Sequence, residues 1–183
     1  MATLQDKLLF STTSPRSPSK MIPEIKLLYE NFEGQKWSPL TQVQFIEDLA
    51  ASDFFEGKGS ASDKAFSARD RINRAPKSLG FVDIKPFIKL TDAGRALIFG
   101  KRPQEVFLRQ LLKFQIPSPY HKESVKNQGT FYIRPFLEIL RLVRELDYLT
   151  FDELKIFALQ MTDYRNFEDI KSQITIFREQ KPK

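Results

Sequence analysis

Between residues 65 and 100 the chain reads AFSARDRINRAPKSLGFVDIKPFIKLTDAGRALIFG, and the period of its apolar positions changes twice. Ala68, Ile72, Ala75 and Leu79 recur at three and four residues, the spacing of one helix face; Ser67, Asp70, Arg74 and Lys77 lie roughly opposite, flanked by Arg71 and Asn73. Ser67, with Asp70 three residues on, has the pattern of a capping box and predicts that the helix starts there, while Pro76 predicts a break or kink near Ala75. Residues 81–84 and 87–90 then cluster or alternate apolar positions as a short hairpin does, around Lys85-Pro86-Phe87. Thr91 is placed to cap a helix over 92–99, which Gly100 stops. Helix, hairpin and helix in this order predict a winged helix, whose first helix suits a DNA major groove.

The flanking stretches supply the support such a helix needs. Residues 22–32 (IPEIKLLYENF) predict a helix from Pro23 with Ile25, Leu28 and Tyr29 or Phe32 inward. Ser38-Pro39 predicts entry into a second, with a stripe of Leu40, Val43, Ile46, Leu49 and Ala50 that packs across the Ser67 helix. Residues 56–64 (EGKGSASDK) predict a loop. After the hairpin, Arg102-Pro103 opens a helix over 104–115 with Val106, Phe107, Leu111 and Phe114 inward, and the polar stretch 118–130 predicts a boundary. Beyond it, Pro135 starts a helix to residue 146 with Phe136, Ile139, Leu140 and Val143 inward, Thr150 and Glu153 form a capping box for a helix through residue 159, and a third helix covers 167–178. The expected fold class is therefore mainly α. Residues 1–20 form an arm, 21–117 a helix-turn-helix with a small β-wing, and 118–183 a second helical, helix-turn-helix-like subdomain.

Charge sharpens this reading. With 29 Lys and Arg against 23 Asp and Glu the chain carries net +6, which suits a polyanion. In the basic arm (STTSPRSPSK, 11–20), Pro15 and Pro18 block regular structure, and Arg16, Ser17 and Lys20 are placed to run along a DNA backbone or enter a groove, although a solvated tail has the same composition. On the Ser67 helix, Arg74 and Arg71 are candidate bidentate donors to guanine, and Asp70 is an acceptor for cytosine amino groups or a clamp for an arginine. Arg69 projects toward the core flank and is expected to bridge to the arm or a phosphate; Lys64 and Lys20 are candidate phosphate contacts, with Ser67 and Lys77 on the same polar face.

Catalytic chemistry finds little to work with. There is one His and no Cys, so neither nucleophilic triads nor thiolate metal sites can be built, and a reducing compartment, the cytoplasm, is expected. Acidic-x-Lys strings occur at Glu24/Lys26, Asp83/Lys85, Glu153/Lys155 and Asp169/Lys171, but three fall on predicted helices, where i and i+2 diverge by about 200°. Only Asp83/Lys85 lies on a strand, in a hairpin too small for a nuclease sheet. No apolar run reaches membrane-spanning length, and no signal peptide opens the chain.

On SPRSPSKMIPEIKLLYENFEG (14–34), AFSARDRI (65–72), Gly80-Phe81-Val82, LTDAGRAL (90–97) and RPQEVFLRQLLKFQIPSPYHK (102–122), the chain resembles the N-terminal recognition part of the AlwI-like type IIS restriction and nicking endonucleases. The resemblance implies a winged-helix region that recognises a short asymmetric site in double-stranded DNA, as a monomer, in a prokaryotic cytoplasm. It also implies a separate nuclease domain of the PD-(D/E)xK kind, with its Mg²⁺, beyond the 183 residues, which themselves need no cofactor. A direct role for residues 14–18, Arg16 and Ser17 among them, is implied as well. The competing readings are a winged-helix transcription regulator, dimeric on a palindrome, and a protein-interaction module with an incidental basic face.

Overall fold

Pro18, expected to block regular structure, instead opens helix α1 (Pro18–Phe32) at its first position, where a missing N–H costs nothing. The helix therefore starts earlier than the sequence predicts, runs through Pro23, and carries Lys20 on its first turn. The structure, a computed structural model, describes residues 17–55, 62–116 and 132–180. They fall into two units, residues 17–110 and residues 111–180, and are mainly helical.

In the first unit α1 is followed by α2 (Pro39–Ala50), α3 (Lys64–Ser78), a hairpin of β1 (Val82–Asp83) and β2 (Lys89–Leu90), α4 (Asp92–Phe99) and α5 (Pro103–Lys113), within which the unit boundary falls. Ser38 caps α2 as expected, its hydroxyl accepting from the Thr41 amide. The inward stripe of α2 is nevertheless Thr41, Gln42, Phe45, Ile46 and Leu49, while Leu40 is 81% exposed and Ala50 is exposed. Two polar side chains can be buried because the preceding loop satisfies them: Thr41 Oγ1 donates to the Lys36 carbonyl at 2.8 Å and Gln42 Nε2 to the Trp37 carbonyl at 3.0 Å.

Helix α3 starts at Lys64, not Ser67. Asp63 is its cap, accepting from the Phe66 amide at 2.7 Å, so Ser67 lies inside the first turns. Nor does Pro76 end the helix, which continues to Ser78 with Pro76 buried. Ala68, Ile72, Ala75 and Leu79 are buried as expected, against a core that includes Ile25 and Leu28 of α1 and Phe45 and Leu49 of α2. Gly80, at φ +76°, turns the chain into the hairpin. The strands pair antiparallel, Val82 with Leu90 and Asp83 with Lys89. Alongside β2 runs the loop after α1: Gly34 N donates to Ile88 O, and Ile88 N to Gln35 O, both at 2.8 Å. Thr91 caps α4 as expected, accepting from Gly94 N at 3.0 Å and donating to Gly80 O at 2.6 Å. A Cβ on Gly94 would lie 2.0 Å from Phe81 O, so glycine is required for α4 to come this close to the hairpin.

The second unit contains α6 (Pro135–Leu146), α7 (Phe151–Ile156), two short 3₁₀ turns at Ala158–Gln160 and Tyr164–Asn166, and α8 (Phe167–Gln180). Its α6 is rotated from expectation: Pro135, Glu138 and Leu142 are buried and Leu140 is 48% exposed. The rotation follows from a charged pair, since Arg141 Nη1 holds the Glu138 carboxylate at 2.6 Å while its guanidinium stacks 3.9 Å over Phe167 at the start of α8. The predicted Thr150–Glu153 capping box is present. Its carboxylate has a second task, because Arg178 of α8 donates to both Glu153 oxygens, Nε to Oε1 at 2.9 Å and Nη2 to Oε2 at 3.1 Å, and also reaches the Leu146 and Tyr148 carbonyls.

The Arg178 hydrogen bonds, with those from Thr150, hold the Glu153 carboxyl at about 2, against an ordinary 4.5. A depressed carboxyl stabilises the fold above its ordinary value and ceases to do so as pH falls through the folded one. Glu153→Gln should therefore destabilise the chain by about 3–5 kcal/mol at neutral pH. In thermal melts its deficit relative to the parent should shrink as pH falls from 4.5 toward 2. A deficit constant over that range would contradict the assignment.

Candidate nucleic-acid interface

Helix α3 carries Lys64, Arg69, Arg71, Arg74 and Lys77 against a single acid, Asp70. Its core stripe turns Phe66, Asp70, Asn73 and Lys77, spaced by four, three and four, to the opposite side, with Arg74 and Arg69 to either flank. What each cation does is set by its neighbours.

Arg71 is not on this face. Its Nη1 lies 2.5 Å from Oε1 of Glu24, a carboxylate of α1 that is 3% exposed, and its guanidinium sits 5.0 Å over the Phe55 ring. Burial pushes the Glu24 carboxyl up, and Arg71 and Lys20 pull it back. The pair is an internal tie between α1 and α3, and it occupies the guanidinium expected to read guanine. Its partner leaves no signal in the sequence, where Glu24 is an ordinary polar position near the start of a helix.

Arg69 reaches α2. Its Nη1 donates at 3.0 Å to Oε1 of Gln42, whose own amide is fixed by the Trp37 carbonyl, and its guanidinium lies 5.9 Å from the centre of the Phe66 ring. Gln42 is neutral, so this contact does not pair the Arg69 charge. Arg74 is paired along the helix with Asp70, Nε to Oδ1 at 2.5 Å. Lys64 pairs with Glu47 of α2 at 2.7 Å, both side chains being substantially exposed. Lys77 is half-buried, and its ammonium is pushed down first by burial and then by Lys85 of the hairpin, with Asp83 opposing. Asn73 buries Oδ1 without a hydrogen-bond partner and does not offer that atom to a ligand. Ser67 is half-buried in the helix, while Ser17 stands at the N-cap position of α1 without a capping side-chain bond and exchanges a 2.7 Å hydrogen bond with Ser19. Arg16, positions 56–61 and the 118–130 stretch, His121 included, lie outside the described residues.

The acidic-x-Lys strings do not converge. Asp83 pairs across the hairpin with Lys89 at 3.4 Å, Glu24 and Glu153 are committed to arginines, and Lys171 reaches Glu145 at 2.7 Å and Glu168 at 3.2 Å. Among the described residues no three His, Cys, Asp or Glu side chains are grouped to hold a metal ion. The second unit has a cavity of about 410 Å³ bordered by Ile116, Tyr132, Arg134, Glu138 and Tyr164. No helix among the described residues is long and apolar enough to cross a membrane.

Residues 77–183 match the family described as AlwI restriction endonuclease. The chain belongs to that family. The match begins at Lys77, near the end of α3, and takes in the hairpin, α4, α5 and the second unit. It therefore covers the C-terminal part of the chain and not the stretch where most of the candidate interface lies. No curated protein matches the chain.

The distinction between the arginines is measurable. Arg71→Ala leaves Glu24 buried without its partner and should cost about 3–5 kcal/mol in urea unfolding, whereas Arg74→Ala breaks an exposed pair and should cost less than about 1 kcal/mol. Equal losses in the two variants would refute the structural assignment of Arg71.

Proposed function

We propose that residues 17–110 form a winged-helix module that binds double-stranded DNA sequence-specifically, with α3 as the recognition helix and the β1–β2 hairpin as the wing. The module serves target recognition for a type IIS restriction or nicking endonuclease whose nuclease domain, with its Mg²⁺, lies outside these residues. The observation that carries the reading is the outer face of α3, with Arg69, Arg74 and Lys77 around one acid, on a helix braced by α2 and followed directly by a hairpin, in a chain of a restriction endonuclease family. The Gly34–Gln35 backbone bonded to Ile88 supports it, because it stands where the third strand of a winged helix would pair with the wing.

On this reading Arg74 is the base reader, poised by Asp70, and the helix lies in the major groove. Lys64, Lys20, Ser17 and Arg16 belong to the backbone contacts, which fix register without reading sequence. Ser67 and Lys77 flank them on α3. The module acts as a monomer on a short asymmetric site. The transcription-regulator alternative is disfavoured by membership of an endonuclease family and would require a dimer on a palindrome.

Arg74→Ala should weaken binding to the preferred duplex by about 1–3 kcal/mol and relax selectivity at one or two positions, with much less effect on random DNA. Lys64→Ala should weaken binding to all sequences alike and reduce the salt slope by about one. Binding profiles over every single-base change, at several salt concentrations, separate the two effects. An Arg74 variant that loses affinity evenly on all sequences would make α3 a backbone clamp and overturn its role as reader.

A further inference from the structure

Phe66 is 56% exposed in the N-terminal half of α3, among its lysines and arginines. It shares the outward stripe with Asp70 and Lys77 and takes no part in the core formed by Ala68, Ile72 and Ala75. A ring left more than half exposed among cations keeps apolar surface available to a partner. Its position is nevertheless controlled. The Arg69 guanidinium lies 5.9 Å from its ring centre, Arg69 is held by Gln42, and Gln42 is 5% exposed and fixed by the Trp37 carbonyl. A relay of oriented groups thus runs from the interior of α2 out to the ring. At the other side of the residue, the Phe66 amide is bonded to the Asp63 cap, which sets where the helix begins.

Resting on the DNA-binding reading above, we propose that Phe66 is a specificity-determining residue that packs on the 5-methyl group of a thymine in the major groove. The major groove displays one apolar group, the pyrimidine 5-methyl, at A·T pairs and not at unmodified G·C pairs. The flanking guanidinium and ammonium groups neutralise phosphates on either side of it, so an apolar ring can approach the groove floor without an unmatched charge beside it. Residues near the start of a recognition helix are the ones that reach base edges, and Phe66 stands in the first turn of α3. Gln42 and Arg69 are positioning residues that act through the ring.

The test removes the methyl group and the ring separately. The full chain is used to enrich a preferred site from random duplexes, and each thymine in that site is then replaced by uracil, which lacks only the methyl group. At one position the replacement should weaken parent binding about fourfold, the worth of one buried carbon group. Phe66→Ala should bind the thymine and uracil versions of that position equally, and Phe66→Leu should keep part of the preference. Circular dichroism melts of both variants should match the parent, since the side chain is outside the core. Failure to enrich any site would overturn the DNA-binding reading itself. An enriched site with no thymine, or with every thymine indifferent to uracil, would overturn only the role of Phe66, as would a methyl preference that persists in Phe66→Ala.

Discussion

A carboxylate inside the first unit is the constraint on which its surface depends. Glu24 stands among Met21, Ile25 and Leu28 on the buried side of α1, where an unmatched charge would cost several kcal/mol. Arg71 meets it from α3 through one oxygen, Oε1, while Oε2 stays buried without a hydrogen-bond partner. Because Arg71 must turn toward α1 while Ala68, Ile72 and Ala75 turn toward the core, the rotation of α3 about its axis is fixed. That rotation presents Phe66, Asp70, Arg74 and Lys77 outward. The apolar stripe alone would allow the helix to roll by part of a turn; the ion pair narrows that freedom.

The second unit uses the same physics with different residues. Glu153 caps its own helix and receives Arg178 from α8, and Glu138 receives Arg141 within α6. In both units a carboxylate is taken out of water and an arginine fixes the element that carries it. The family match falls on the second unit and on the hairpin and helices that complete the first.

Elements were more legible than faces. Ser38-Pro39, Thr91, and Thr150 with Glu153 start helices as read, because capping is local chemistry written in three or four adjacent residues. Ser67 misled because Asp63, three residues before Phe66, is the better cap and leaves Ser67 inside the helix. The stripes of α2 and α6 do not follow the apolar residues alone: Thr41, Gln42 and Glu138 are buried because the Lys36 and Trp37 carbonyls and Arg141 satisfy them, and such partners are not visible in a periodicity. The basic character of α3 was legible, but the division of labour among its arginines was not, since Glu24 and Gln42 reach it from far along the chain. Phe66 was legible in principle, lying four residues before Asp70 on the polar stripe.

The most direct measurement is the equilibrium affinity of the chain for a duplex enriched from a random library, compared with scrambled versions over a range of salt. One short asymmetric motif should be bound by a monomer at least about a thousandfold more tightly than its scrambled form, with affinity falling as salt rises. Enrichment of no motif, or equal affinity for the motif and its scrambled form, would contradict sequence-specific binding.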